Sequence, residues 1–183
     1  MLFKHRLTSR RSQPPLALSV PLTRFTSLVG GGSAFFVRRR YTIVRFTVHI
    51  LDDDEPAHTQ ICVAERDYSA GQDSYVSAEE FIAFGRALQS FPQTRGHEAV
   101  FESGSRDSRY SCFIRLRAFE RDLSGHAAFE VEMSNHAVGA SHCSAHFHIF
   151  TEAAVLNRLG QSLESWARSE RKEFEFTDES RDA

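Results

Sequence analysis

Val44, Phe46, Val48 and Ile50 alternate with Arg45, Thr47 and His49, the period-2 pattern of a strand with one buried face. Asp52-Asp53-Asp54-Glu55-Pro56 breaks that pattern. A second strand from about Thr59 to Asp67, with Ile61 and Val63 on one face, is expected to pair back as a hairpin. The period then changes. Ser77-Ala78-Glu79-Glu80 is a capping box, in which the Ser77 hydroxyl accepts from the Glu80 amide and the Glu80 carboxylate accepts from the Ser77 amide. Val76 and Phe81 stand at hydrophobic-staple positions. A helix is predicted from Ala78 to about Ser90, ahead of Pro92, with Phe81, Phe84 and Leu88 facing inward.

Strands follow near His97 to Ser103, Tyr110 to Phe119, His126 to His136 and Cys143 to Phe150. Thr151 is expected to cap a second helix carrying Val155, Leu159, Leu163 and Trp166 on its inner face, with Phe150 and Val155 as a second staple and Glu164 and Arg168 as an i,i+4 pair. The predicted fold class is α+β: a mainly antiparallel sheet in the order ββαββββα, with two amphipathic helices packed on one face. A single domain over residues 41–172 is expected, and no internal repeat is visible. Glu173-Phe174-Glu175-Phe176 reads either as an edge strand or as the start of an acidic C-terminal tail over residues 173–183.

Register follows from satisfying both faces of the later strands at once. Placing Leu116 opposite Val131 and Ile114 opposite Met133 also sets Arg115 against Glu132 and Arg117 against Glu130. Across the loop containing Gly139, Val131 is expected opposite Phe147 and Phe129 opposite Ile149, which brings His146 to Glu132 and His148 to Glu130. Two outer rows are predicted, Arg115-Glu132-His146 and Arg117-Glu130-His148.

The formal net charge of −2 averages two unlike regions. No Asp or Glu precedes Asp52, whereas nine of the 22 lysines and arginines do; the rest of the chain holds the other 13 against 24 acidic side chains, a formal net of −11. Residues 1–40 form a basic leader, read as a disordered arm, a transit-like segment or translation from upstream of the true start. An acidic domain lacks the clustered cations that phosphates require, so nucleic acid is not expected as a partner and a basic protein is. No apolar run approaches the ~18 residues of a membrane span.

Cys62, Cys112 and Cys143 are odd in number, far apart and without a C-x-x-C pair, which fits inert buried thiols in a reducing cytoplasm. His136, His142, His146 and His148 form the one cluster with metal-ligand character. His146 and His148 point the same way from a strand, and Glu130 or Glu132 can supply a third ligand to an open zinc site. The competing reading is a solvated face whose carboxylates are taken by Arg115 and Arg117. Asp52 to Glu55 lacks the alternation and central Gly of a calcium loop and reads as a hairpin tip. No catalytic residue, cofactor or metal is assigned; His146, His148, Glu130 and Glu132 are the candidates should a metal be held.

The order strand, strand, capped helix ending in Leu88-x-x-Phe91-Pro92, then a meander containing Gly125 and a last helix with Leu156-x-x-Leu159-Gly160-x-x-Leu163, resembles small uncharacterised bacterial α+β domains over about Ile43 to Ala167. Some of these look like immunity proteins of polymorphic-toxin systems. The resemblance implies a cytoplasmic, non-enzymatic domain that occludes a basic protein partner, with no catalytic residues to carry over. The alternative is a metal-dependent enzyme or metal sensor using the His146-x-His148 pair.

Overall fold

The structure, a computed structural model, describes residues 41–52 and 54–181. The basic leader, residues 1–40, lies outside the described residues. The fold is α+β, with the expected elements in the expected order and two further strands. In chain order they are β1 (Tyr41–Ile50), β2 (Ala57–Glu65), β3 (Tyr68–Val76), α1 (Ala78–Gln89), β4 (Glu98–Gly104), β5 (Phe113–Glu120), β6 (His126–Ser134), β7 (Ser144–Glu152), α2 (Ala153–Ala167) and β8 (Glu173–Arg181).

The strands form two antiparallel four-stranded sheets, β3-β2-β1-β8 and β4-β5-β6-β7. Their inner faces and both helices share one core, to which Phe46, Ile61, Phe129, Leu156 and Trp166 all belong. The sheets meet through side chains as well: the Ser74 and Ser103 hydroxyls, from β3 and β4, are hydrogen-bonded at 2.6 Å.

β3 escapes the sequence pattern for two reasons. Its inward positions include Gln72 and Ser74, so period-2 apolar alternation is missing, and the turn before it uses Arg66 at φ 30° in place of Gly or Asn. Backbone pairing along the whole of β2 holds it instead. β8 settles the choice left open at Glu173, and the domain boundary moves from Lys172 to the end of this strand. It pairs with β1, setting Phe176 opposite Phe46 and Phe174 opposite Val48. Phe174 lies edge-on to Phe46, with ring centroids 6.0 Å apart, and against Trp166 at 5.4 Å.

The topology repeats, although no repeat was legible in the residues. Three strands, a helix and a strand occur twice, and the fifth element of each set joins the edge of the other set's sheet: β4 beside β5, β8 beside β1. What recurs in the sequence is inward spacing, Phe81-x-x-Phe84-Gly85-x-x-Leu88 in α1 and Leu156-x-x-Leu159-Gly160-x-x-Leu163 in α2. With different residues at most positions, only the pattern carries the signal.

The capping box forms as expected, with Glu80 N donating to Ser77 Oγ at 3.3 Å and Ser77 N to Glu80 Oε2 at 2.8 Å. The cap expected at Thr151 does not form. β7 runs straight into α2, Glu152 occupies the N-cap position without a side-chain hydrogen bond, and Thr151 is buried. The Phe150 and Val155 staple is absent too, because strand alternation turns Phe150 outward, where Arg121 stacks on its ring at 4.1 Å. Cys112 is buried and Cys143 is exposed, both just outside strands, so burial of all three thiols does not hold.

The helices are tied by polar groups at their margins. Asn157 Nδ2 donates to the carbonyls of Leu88 and Phe91 at 2.8 and 2.6 Å, tying α2 to the end of α1 and the turn that follows it. Glu164 accepts from Arg168 at 2.8 Å, as the i,i+4 spacing predicts, and also from Gln89 at 2.5 Å and Arg86 at 2.9 Å on α1. These bonds, from Arg168 first and then Gln89 and Arg86, hold the Glu164 carboxyl at about 2, against an ordinary value of 4.5. A carboxyl depressed on folding contributes stability that is present above its unfolded pKa and is lost as pH falls through the folded one. Glu164→Gln is therefore expected to lose most of its stability deficit relative to wild type as pH drops from about 4.5 to about 2. Parallel thermal melts across that window check this; a deficit independent of pH would show that the carboxylate is not the linked group.

Candidate functional site

The outer face of the second sheet carries the chemistry that the sequence pointed to. Both expected registers are observed. Leu116 lies opposite Val131 and Arg117 opposite Glu130 between β5 and β6, and Glu130 lies opposite His148 and Glu132 opposite His146 between β6 and β7. A slip of one residue would expose the apolar set, so the buried face fixes where the charged face stands.

Side chains do not keep to two straight rows. The row Arg117-Glu130-His148 forms: Arg117 Nε donates to Glu130 Oε2 at 2.6 Å, and His148 Nε2 stands 3.5 Å from Oε1. The other row breaks up. Arg115 turns to Glu102 at 3.1 Å, Glu132 accepts from Arg106 at 2.6 Å, and His146 reaches diagonally to place Nε2 2.9 Å from Glu130 Oε1. Arg106 sits in the loop between β4 and β5, where no periodicity signals its reach. Three candidates are thus brought together, with the ligating atoms of Glu130, His146 and His148 all within 4.8 Å of one another, and Glu132 is drawn away. Of the other two histidines, His136 turns Nδ1 to the Tyr110 carbonyl at 3.0 Å, and His142 is exposed after a single helical turn at Gly139–Ser141.

Glu130 is not the solvated residue that an outer-face position suggests, since its side chain is only 8% exposed. Arg117, His146 and His148 cover it. Burial pushes its carboxyl up, but the hydrogen bonds from His146 and Arg117, with the charges of Arg117 and His148, outweigh that and hold it below the usual carboxylate range. It is a fixed anion, suited to holding a cation and unsuited to general-acid work.

A second feature lies between the tip of the β1–β2 hairpin and the facing ends of the helices. A cleft of about 290 Å³ is lined by Ile50, Val76, Phe81 and Trp166, with Asp52, Asp54, Glu55 and Glu170 at its edge and Arg171 and Lys172 on one side. Asp52 Oδ1 accepts from the backbone N–H of His58 at 2.8 Å, so this acid shapes the tip; Asp54 and Glu55 are exposed. Asp53 lies outside the described residues. The sequence indicates Trp166 and Phe81 as core positions only, and their edges become cleft wall because the β1–β2 tip and the α2 end approach each other in space.

No family model, curated protein or solved structure matches the chain. No described helix is long and apolar enough to cross a membrane.

Proposed function

We propose that this domain is a non-enzymatic, cytoplasmic protein-binding module that occludes a basic partner, in the manner of a bacterial immunity protein of a polymorphic-toxin system. The observation that carries the reading is the cleft beside Trp166, which joins an apolar lining to an acidic edge of four carboxylates against the two cations Arg171 and Lys172. A lysine or arginine side chain is complementary to both parts: its stem covers apolar surface and its charge meets carboxylates. The formal −11 of the chain from Asp52 onward acts at longer range, steering a basic protein toward the domain before contact. Such steering raises the association rate and leaves dissociation largely to the contacts themselves.

Affinity capture from cell lysate with the full chain is expected to retain a basic protein at low salt and release it at high salt. Reversing the edge with Asp54→Lys and Glu55→Lys should slow association of that protein by about tenfold or more, with a smaller change in dissociation. An equal reversal at Glu173 and Glu175, exposed on β8, alters net charge without touching the edge and should cost less. Equal losses from the two reversals would remove the cleft from the interface, and capture insensitive to both would end the basic-partner reading.

A further inference from the structure

We propose that Glu130, His146 and His148 form a binding site for a divalent transition-metal ion of the zinc class, with an exchangeable fourth position facing solvent. The site lies on the outer face of the second sheet, and it does not rest on the occlusion reading.

Donor chemistry comes first. Two imidazole nitrogens and one carboxylate oxygen are the set that borderline divalent cations prefer, and three protein ligands with one open position is the arrangement of exchangeable zinc sites. Hard cations such as calcium call for more oxygens than this face offers.

Backbone register supplies the preorganisation. His146 and His148 leave the same face of β7, and pairing with β6 puts Glu130 directly opposite His148. Both rings turn Nε2 toward one oxygen, Glu130 Oε1, at 2.9 and 3.5 Å. The shorter contact is a good hydrogen bond, and the longer one is an ion-pair distance without a hydrogen bond. Convergence of two imidazoles on a single oxygen is thus more than one hydrogen bond requires. It is the arrangement expected around a shared ion: tetrahedral bonds of about 2.0–2.1 Å place ligand atoms roughly 3.3 Å apart, so the contacts need to change by only a few tenths of an ångström around Oε1. The two imidazole rings lie side by side, with centroids 5.4 Å apart and tilted by 47°.

The surrounding groups orient the ligands. Arg117 Nε binds Oε2, and Arg117 is itself held by Glu98 at 3.1 Å, so the carboxylate presents Oε1 alone to the histidines. Phe119 sits edge-on to His148, with centroids 5.9 Å apart. Arg117 is a positioning residue for the site in the same sense that hydrogen-bond partners of ligating carboxylates are in other metal sites. Access is open on the remaining side, since the His146 and His148 side chains are 56% and 37% exposed while Glu130 lies beneath them. Glu132 is excluded by its bond to Arg106.

The test uses purified, tag-free full chain stripped with chelator, titrated with zinc by calorimetry and with cobalt(II) by visible absorption. Wild type is expected to take up one equivalent of zinc with micromolar or tighter affinity, and to give the visible bands of a low-coordinate cobalt site. His146→Ala with His148→Ala should abolish both signals in a protein that keeps its circular dichroism spectrum and a cooperative melt, the midpoint falling modestly because Glu130 loses two of its partners. Arg117→Gln should weaken zinc by about 10–100-fold while leaving some uptake, the signature of a positioning residue. Cys143→Ser and Glu132→Gln should have no effect. No stoichiometric uptake by folded wild type, uptake that survives in the double histidine variant, or uptake lost in Cys143→Ser would each overturn the proposal. Zinc binding without any captured basic protein would leave this site standing and remove only the occlusion reading.

Discussion

Gly160→Ala is expected to destabilise the domain by ~1–3 kcal/mol and Gly160→Val to prevent stable folding, even though alanine by itself favours a helix by roughly 1 kcal/mol over glycine. A Cβ at Gly160 would stand 2.5 Å from the Gly85 carbonyl oxygen, 2.7 Å from Gln89 N and 2.7 Å from Leu88 Cβ. Two of those neighbours are backbone atoms of α1, which cannot swing aside as a side-chain tip can. From the other helix, a Cβ at Gly85 would meet Glu164 N and the Gly160 carbonyl oxygen, each at 2.9 Å. Relief requires the helices to separate, which loosens Leu88, Leu159 and Leu163 together, all of them fully buried. The clash therefore outweighs the propensity gain. Urea denaturation of both alanine variants and their double mutant checks this. Each single change should lower the midpoint, and the double should cost less than the sum, since one separation relieves both contacts. A Gly160→Ala protein as stable as wild type would refute the close helix crossing.

Leu116→Ala should cost ~2–5 kcal/mol at any salt concentration, because Leu116 is fully buried in the middle of β5 and the cavity cannot be filled by water or by collapse of a paired sheet. Arg117→Glu, one residue along, belongs to the opposite face and to different physics. It sets a new carboxylate against Glu130 and Glu98, and Glu130 is buried, so part of the cost is an unpaired interior anion that salt does not screen. The Arg117 side chain is a quarter exposed, which moderates that cost to roughly 1–3 kcal/mol, with a portion recovered in high salt. Denaturation of both variants at low and high salt separates the cases. Were Arg117→Glu the costlier change at every ionic strength, the assignment of core and charged faces in β5 would fail.

The sequence by itself determined the parts of this protein that depend on near neighbours and on alternation. Val44 to Ile50 announces β1, the Ser77 to Glu80 box announces α1, and the demand that Leu116 and Arg117 both find partners yields the registers of β5, β6 and β7 that the structure shows. Within the candidate site, that was enough to bring His148 to Glu130, and the same alternation put His146 on their face. What only the tertiary structure decided depends on groups distant in the chain. β3 is held by a backbone ladder that side-chain pattern does not encode. β8 is a strand because β1 offers an open edge beside Trp166 and Phe46. Thr151 fails as a cap because β7 reaches α2 without a break, and Phe150 fails as a staple because the strand's alternation governs its direction. Arg106, drawn from a loop, takes Glu132 out of the cluster, while Arg117 and the two histidines close over Glu130 and turn an outer-face residue into a buried anion. The Asp54 and Phe81 sides of the cleft come from separate elements that only folding sets face to face. Periodicity reports which way a side chain leaves its own strand or helix; which partner reaches it first is set by three-dimensional proximity, and that competition fixed the composition of both sites.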